Sequence, residues 1–217
     1  KIEAPPLEAT REKTVWSEAE IYSLLNMLLE QKQYEKACCV ALAAFSGRRK
    51  SELLRYRVDF FSEGNLIADG ALYMTPKIKT KGRGNGKMLH TYVLAKKFYP
   101  YLDLWMAERK ATGLDSDWLF PDPINPEDPR RATTLNSWAS TFSRMIGRDF
   151  YFHSLRHFFN SSLLEAGLPE NVVTEILGWA SAEMVRHYDD RPVTGQIEKY
   201  FVGGEISAPK SKGLADL

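Results

Sequence analysis

Three short stretches hold residue types that can act on a phosphate. His153-Ser154-Leu155-Arg156 opens an apolar-periodic segment. Spacing i, i+3 on a helix puts the imidazole and guanidinium on one face, where they can bind a phosphate and exchange a proton with it. Ser46-Gly47-Arg48-Arg49-Lys50-Ser51-Glu52-Leu53 sets a turn glycine before arginines at a helix start, which suits an anion. Leu177-Gly178-Trp179 is followed nine residues after the Trp by Tyr188, a candidate nucleophile. Each stretch alone also has a plain structural reading: a packed helix, a solvated helix end, a tyrosine used for packing. Their co-occurrence and order carry the weight.

The charges are unevenly placed. Lys77, Lys79, Lys81, Arg83, Lys87, Lys96 and Lys97 occur in one stretch without an acid, and Arg48, Arg49, Lys50, Arg55 and Arg57 form a second cluster broken only by Glu52. Residues 103–128 carry seven acids, and the formal net charge is +1. A neutral chain with local basic stretches suits an anionic partner such as a phosphate backbone. A solvated hairpin with protective lysines on its edges reads equally well from charge alone.

The elements that must position these residues are mostly helical. Ser17 reads as an N-cap, with Ile21, Leu24, Leu25, Leu28 and Leu29 at helical spacing behind it. A second helix spans about Tyr34 to Phe45 and stops near Gly47, and a third starts near Ser51. Between Asn65 and Leu94 the period changes. Leu72-Tyr73-Met74 and His90-Thr91-Tyr92-Val93-Leu94 flank a Gly-rich turn at 81–87, which predicts a β-hairpin. That turn matches no nucleotide-binding loop. Further helices are expected at about 96–112, 134–146, 153–166, 169–177 and 181–189, with a proline-rich loop at 121–129. The fold class is therefore mainly α with a small antiparallel β-sheet.

With 217 residues, 44% hydrophobic and 26% charged, the composition is that of a globular domain and not of a disordered, collagen-like or disulfide-rich chain. The longest apolar run, Ala37 to Phe45, is half the ~18 residues a membrane span needs. Cys38 and Cys39 are adjacent, suit neither a disulfide nor a metal site, and read as small buried residues in a reducing, cytoplasmic setting.

Gly-x-Arg-x-x-Glu-Leu, a lysine in a hairpin, His-x-x-Arg, Leu-Gly-Trp and a later Tyr, in that order from about Val15 to Tyr200, resemble the catalytic domain of tyrosine site-specific recombinases, the integrase family. The resemblance implies that fold, with three short helices filling the 32 residues from Arg156 to Tyr188. It implies that Arg49 and Arg156 hold the non-bridging oxygens of a scissile phosphate, and that Tyr188 attacks to form a 3′-phosphotyrosyl bond. Lys79 would protonate the leaving 5′ oxygen. His153 would assist as acid or base, Trp179 would hydrogen-bond the phosphate, and Glu52 would orient the first arginine. Arg48, Lys50, Lys77, Lys81, Arg83 and Lys87 are the implied DNA contacts. Neither metal nor nucleotide is implied.

Two positions depart from the usual pattern. Most of the family has His where this chain has Trp179. An indole N–H donates a hydrogen bond but cannot shuttle a proton. The Cre-type branch of the family is similar here, with Gly-Trp and a Tyr nine residues on. Lys81 lies two residues beyond Lys79 on the same side of a strand and competes for the acid role. The resemblance further implies residues 1–14 as a linker from an absent N-terminal DNA-binding domain, 15–201 as the catalytic domain and 202–217 as a flexible tail. Its implied partners are double-stranded DNA, a homotetramer assembled on it, and accessory DNA-bending proteins, at the nucleoid and without a membrane. The alternatives are a DNA-binding relative that has lost catalysis, a type IB topoisomerase or telomere resolvase, and a helix-turn-helix regulator.

Overall fold

The computed structural model describes residues 14–80, 87–192, 201–202 and 205–206. Its helices are α1 (Glu18–Glu30), α2 (Tyr34–Ser46), α3 (Lys50–Leu53), α4 (Ala95–Thr112), α5 (Ala132–Ile146), α6 (Phe152–Glu165), α7 (Glu170–Leu177) and α8 (Glu183–His187). The strands are β1 (Leu66–Ile67), β2 (Leu72–Met74), β3 (Ile78–Lys79), β4 (Met88–Leu89), β5 (Tyr92–Leu94), β6 (Phe201–Val202) and β7 (Glu205–Ile206).

α2 is the centre of the molecule. Every residue from Ala37 to Ser46 is buried, Cys38 and Cys39 included, and the helix is apolar all round, as an interior helix must be. α1, α4, α6 and β5 pack around it. α1 starts as expected, with Ser17 and Glu20 closing a reciprocal capping box. The Leu135, Trp138 and Phe142 stripe of α5 is buried, and Phe142 meets Phe150 and Phe152 edge to face.

The expected single hairpin is two sheets. β2 lies between β1 and β5, while β3 and β4 pair separately, with Lys79 opposite Met88. Pro76, which has no N–H to donate, interrupts the ribbon between β2 and β3. Thr75 and Thr91 close the gap through a backbone bond of 2.9 Å and a hydroxyl pair at 2.6 Å, and the Tyr56 hydroxyl joins them at 2.7 Å.

Residues 1–13 of the expected linker and the Gly-rich turn at 81–86 lie outside the described residues. In the expected tail, β6 and β7 form an antiparallel ladder, and the remainder likewise lies outside the described residues. Among the described residues no helix is long and apolar enough to cross a membrane.

α2 ends on Gly47, which adopts φ +60°. A Cβ there would come within 2.6 Å of Phe159 Cδ1 and 2.7 Å of Leu177 Cδ2. Gly47→Ala therefore combines left-handed strain with a clash, and is expected to cost roughly 2–4 kcal/mol in chemical denaturation. A loss below about 1 kcal/mol would mean that the turn relaxes around the methyl group.

Candidate active site

α6 supplies the floor of the site. Its first turn is fixed from outside: Trp16 Nε1 donates to Ser154 Oγ at 2.7 Å, and that hydroxyl donates to Tyr151 O at 2.6 Å. His153 and Arg156 then share a face as their spacing predicts, with opposite environments. His153 is exposed, whereas Arg156 is wholly buried.

Arg156 Nη1 donates to Gly47 O at 2.6 Å and Nη2 to Leu177 O at 3.1 Å, so one guanidinium joins the α2–α3 turn to the end of α7. Its plane faces the Trp179 ring at 4.7 Å. Burial, and then the neighbouring Arg48 and Arg49, pull its pKa down to about 9, so it stays charged at neutral pH. Among the described residues, Arg156 Nε and Trp179 Nε1 are both buried donors with no hydrogen-bond partner.

Arg49 caps α3 and remains 31% exposed through its side chain. Glu52, fully buried, accepts from the Arg49 backbone N–H at 3.2 Å and from its Nη1 at 3.1 Å. Burial pushes the Glu52 carboxyl up, but Arg48, Arg49 and Arg156 outweigh it and hold the group below the usual carboxylate range. Glu52 thus holds both the backbone N–H and the guanidinium of Arg49.

Tyr188 follows α8 and is 8% exposed. Its hydroxyl lies 2.9 Å from His153 Nε2. The ring stacks obliquely on Trp179 at 4.9 Å and on His157 at 4.3 Å. The segment around it is fastened to α6: Asn160 Nδ2 donates to Val185 O at 3.0 Å, and the Asp190 N–H donates to Ser161 Oγ at 3.0 Å. His157 Nδ1 sits 3.2 Å from Asp190 Oδ2. His157 and Asp190 were not among the residues picked out by type and spacing. The available signal was that His157 falls one further turn along the face of His153.

A groove of about 560 Å³ runs beside this cluster, bordered by Arg49, Trp179, Lys77, Thr80, Lys87 and Glu175 among others. Lys77 and Lys87 thus place two ammonium-bearing side chains on the groove wall. Lys79 is exposed on β3, its carbonyl accepts from Arg55, and it is not among the described residues that border the groove. Lys50 is turned to Asn136 on α5. Lys81 and Arg83 lie outside the described residues. Arg48, expected as a DNA contact, is corrected by the structure: it is 1% exposed and its donors reach Ser46 O and Ile176 O. Its Nε and Nη2 are thus spent on carbonyls inside the protein, whereas Arg156 keeps a buried Nε without a partner among the described residues. Among the described residues no His, Cys, Asp and Glu group is arranged to hold a metal ion.

A helical domain with small sheets that gathers two arginines, a histidine and a tyrosine defines a class, and comparison with known proteins agrees with it. The profile of the phage integrase family matches residues 15–192, and the chain belongs to that family. It is 46% identical over 90 residues to the integrase of Salmonella phage P22, covering 37% of this chain and 23% of that one. It is 35% identical over 107 residues to an integrase of Saccharopolyspora erythraea, covering 45% and 24%. The matches therefore span about a quarter of either relative's length. Among solved structures, XerA recombinase superposes with a TM-score of 0.67 at 20% identity, over 86% of this chain and 64% of that one. A λ integrase dimer bound to a core site gives 0.58 at 15% identity, over 86% and 62%. These two likenesses establish the fold.

The His153 ring has a pKa lowered from 6.5 to about 4, by partial burial first and then by His157, Arg156, Arg49 and His187. Between these values the unfolded chain takes up a proton that the folded one refuses. His153 therefore imposes no cost above pH 6.5 and an increasing one as pH falls from 6.5 towards 4. His153→Gln is expected to retain more of its melting temperature than wild type across that window. A wild-type-minus-variant difference that is flat with pH would show that His153 is not held neutral.

Proposed function

We propose that this chain cleaves and rejoins DNA strands at specific sites through a 3′-phosphotyrosyl intermediate, as part of a recombinase of a mobile element. The observation that carries the reading is the Tyr188 hydroxyl held 2.9 Å from His153 Nε2, beside buried donors on Arg156 and Trp179 that have no partner among the described residues.

The chemistry follows from the groups present. A neutral imidazole with its proton on Nδ1 accepts the phenol proton at Nε2 as the Tyr188 oxygen attacks phosphorus. The new O–P bond forms as the P–O5′ bond breaks. The 5′ oxygen takes a proton from the Lys79 ammonium, since an alkoxide is a poor leaving group. Negative charge growing on the equatorial oxygens is met by Arg49 and Arg156, whose planar forks suit it better than ammonium groups, and by the Trp179 N–H. The reverse sequence reseals the strand. Bond energy is kept in the phosphotyrosine, so no nucleotide is consumed.

The same reading gives double-stranded DNA as the partner, with Lys77 and Lys87 steering the backbone along the groove. It also gives a homotetramer on DNA with accessory bending proteins, acting at the nucleoid of the cytoplasm. Relatives of this fold have been solved on DNA, among them the Tn1549 transposon integrase with circular intermediate DNA.

The test uses nicked duplexes that lose a short strand after cleavage, incubated without metal and resolved on denaturing gels. A covalent protein–DNA band is expected from wild type and absent from Tyr188→Phe, and Arg49→Lys should slow its formation by about 10²-fold or more. No band from wild type on any duplex, with salt-sensitive binding intact, would overturn the catalytic reading in favour of a silent DNA-binding relative.

A further inference from the structure

The Arg48 guanidinium is buried directly before Arg49, where the proposed reaction makes no use of it. Its contacts lead to the far end of α7. A helix leaves its last four carbonyls without intrahelical partners. In α7, Gly178 at φ +65° closes two of them: the Gly178 N–H donates to Glu175 O and the Trp179 N–H to Thr174 O, each at 3.0 Å. Ile176 O and Leu177 O remain. Arg48 Nη2 donates to the first at 2.5 Å, and Arg156 Nη2 to the second at 3.1 Å. Two cations thus sit on the negative end of one helix, the favourable end for them.

Arg48 is also held at its own end, where Nε donates to Ser46 O at 3.2 Å. Its Nη1 lies 3.6 Å from where a Cβ on Gly178 would stand. The side chain therefore runs from the turn that carries Arg49 to the turn that carries Trp179, in a space closed to solvent.

We infer that Arg48 is a positioning residue that acts through Trp179, setting the indole by completing the C-terminal cap of α7 and locking that cap to the Arg49 turn. This rests on the catalytic reading for its kinetic consequence, but the structural coupling stands apart from it. Removing the Nη2 donor leaves Ile176 O buried and unpaired and frees the Gly178–Trp179 turn to drift. The loss should fall on the chemical step and not on DNA affinity, because Arg48 offers no surface to a duplex.

The experiment compares Arg48→Met, which keeps the apolar stem, with wild type in a Trp179 and a Trp179→Phe background. Single-turnover covalent trapping at saturating nicked duplex should fall at least tenfold in Arg48→Met, with the duplex Kd within about twofold of wild type. In the Trp179→Phe background the same substitution should cost less than threefold. An equal loss in both backgrounds, a wild-type rate, or a loss confined to Kd would each overturn the inference. If Arg48→Met does not fold by circular dichroism, Arg48→Leu, which likewise removes the donor to Ile176 O, takes its place under the same criteria. A readout independent of activity separates failure here from failure of the catalytic reading. The emission of Trp179, taken as the difference between protein with Trp179 and with Phe there, should shift on Arg48→Met. An unchanged difference spectrum would overturn the coupling even in a protein that forms no covalent product.

Discussion

The burial of the Arg156 guanidinium is the constraint on which the rest of the site depends. A charge taken out of water must be met by polar groups, and here they are the carbonyls of Gly47 and Leu177 together with the face of Trp179. Those three groups come from turns far apart in sequence. To satisfy one side chain of α6, the chain must bring the end of α2 and the end of α7 to the same place. Gly47 permits the approach because nothing projects from its α-carbon towards Phe159 and Leu177. The catalytic geometry and the helix packing are the same set of contacts described from two sides.

The balance of charge behind the site has a similar economy. Arg48, Arg49 and Arg156 face a single carboxylate, Glu52, and two of the three guanidiniums are fully enclosed. Glu52 holds one arginine in place and lets the cluster keep a surplus of positive charge. Such a surplus is costly in the free protein and would be favourable beside the phosphate of the proposed reaction, with the field set beforehand. This is preorganisation in the electrostatic sense, and it requires no movement when charge develops on a phosphate.

The helices were legible in the sequence because their apolar residues recur at regular spacing and their ends carry Ser17, Gly47, Gly113 and Gly178. The sheets were legible only in outline. Two- and three-residue strands have too little periodicity to read, and Pro76 divides what looks like one ribbon. The order of Arg49, His153, Arg156, Trp179 and Tyr188 was legible because residue types specific to phosphate chemistry recur in the family's order. Arg48 was misread for a physical reason: arginine belongs on the surface unless its donors are met, and one of the two carbonyls that meet them, Ile176 O, lies 128 residues further along the chain. His157 and Asp190 were silent for the same cause, since their meaning comes from a docking between α6 and the tyrosine segment.

α8 has five residues, too few to persist as a helix by itself. Its shape is lent by neighbours: Asn160 on Val185 O, Ser161 on the Asp190 N–H, and the exposed pair of Arg186 with Glu170. Arg48 and Arg156 belong to the interior and share its stability. The tyrosine does not. It rides on a five-residue helix held to α6 and α7 by a few side-chain contacts, the kind of segment that can open without global unfolding. In the proposed reaction, this arrangement keeps the Arg156 guanidinium fixed in the interior while the attacking group sits on a short, locally fastened segment.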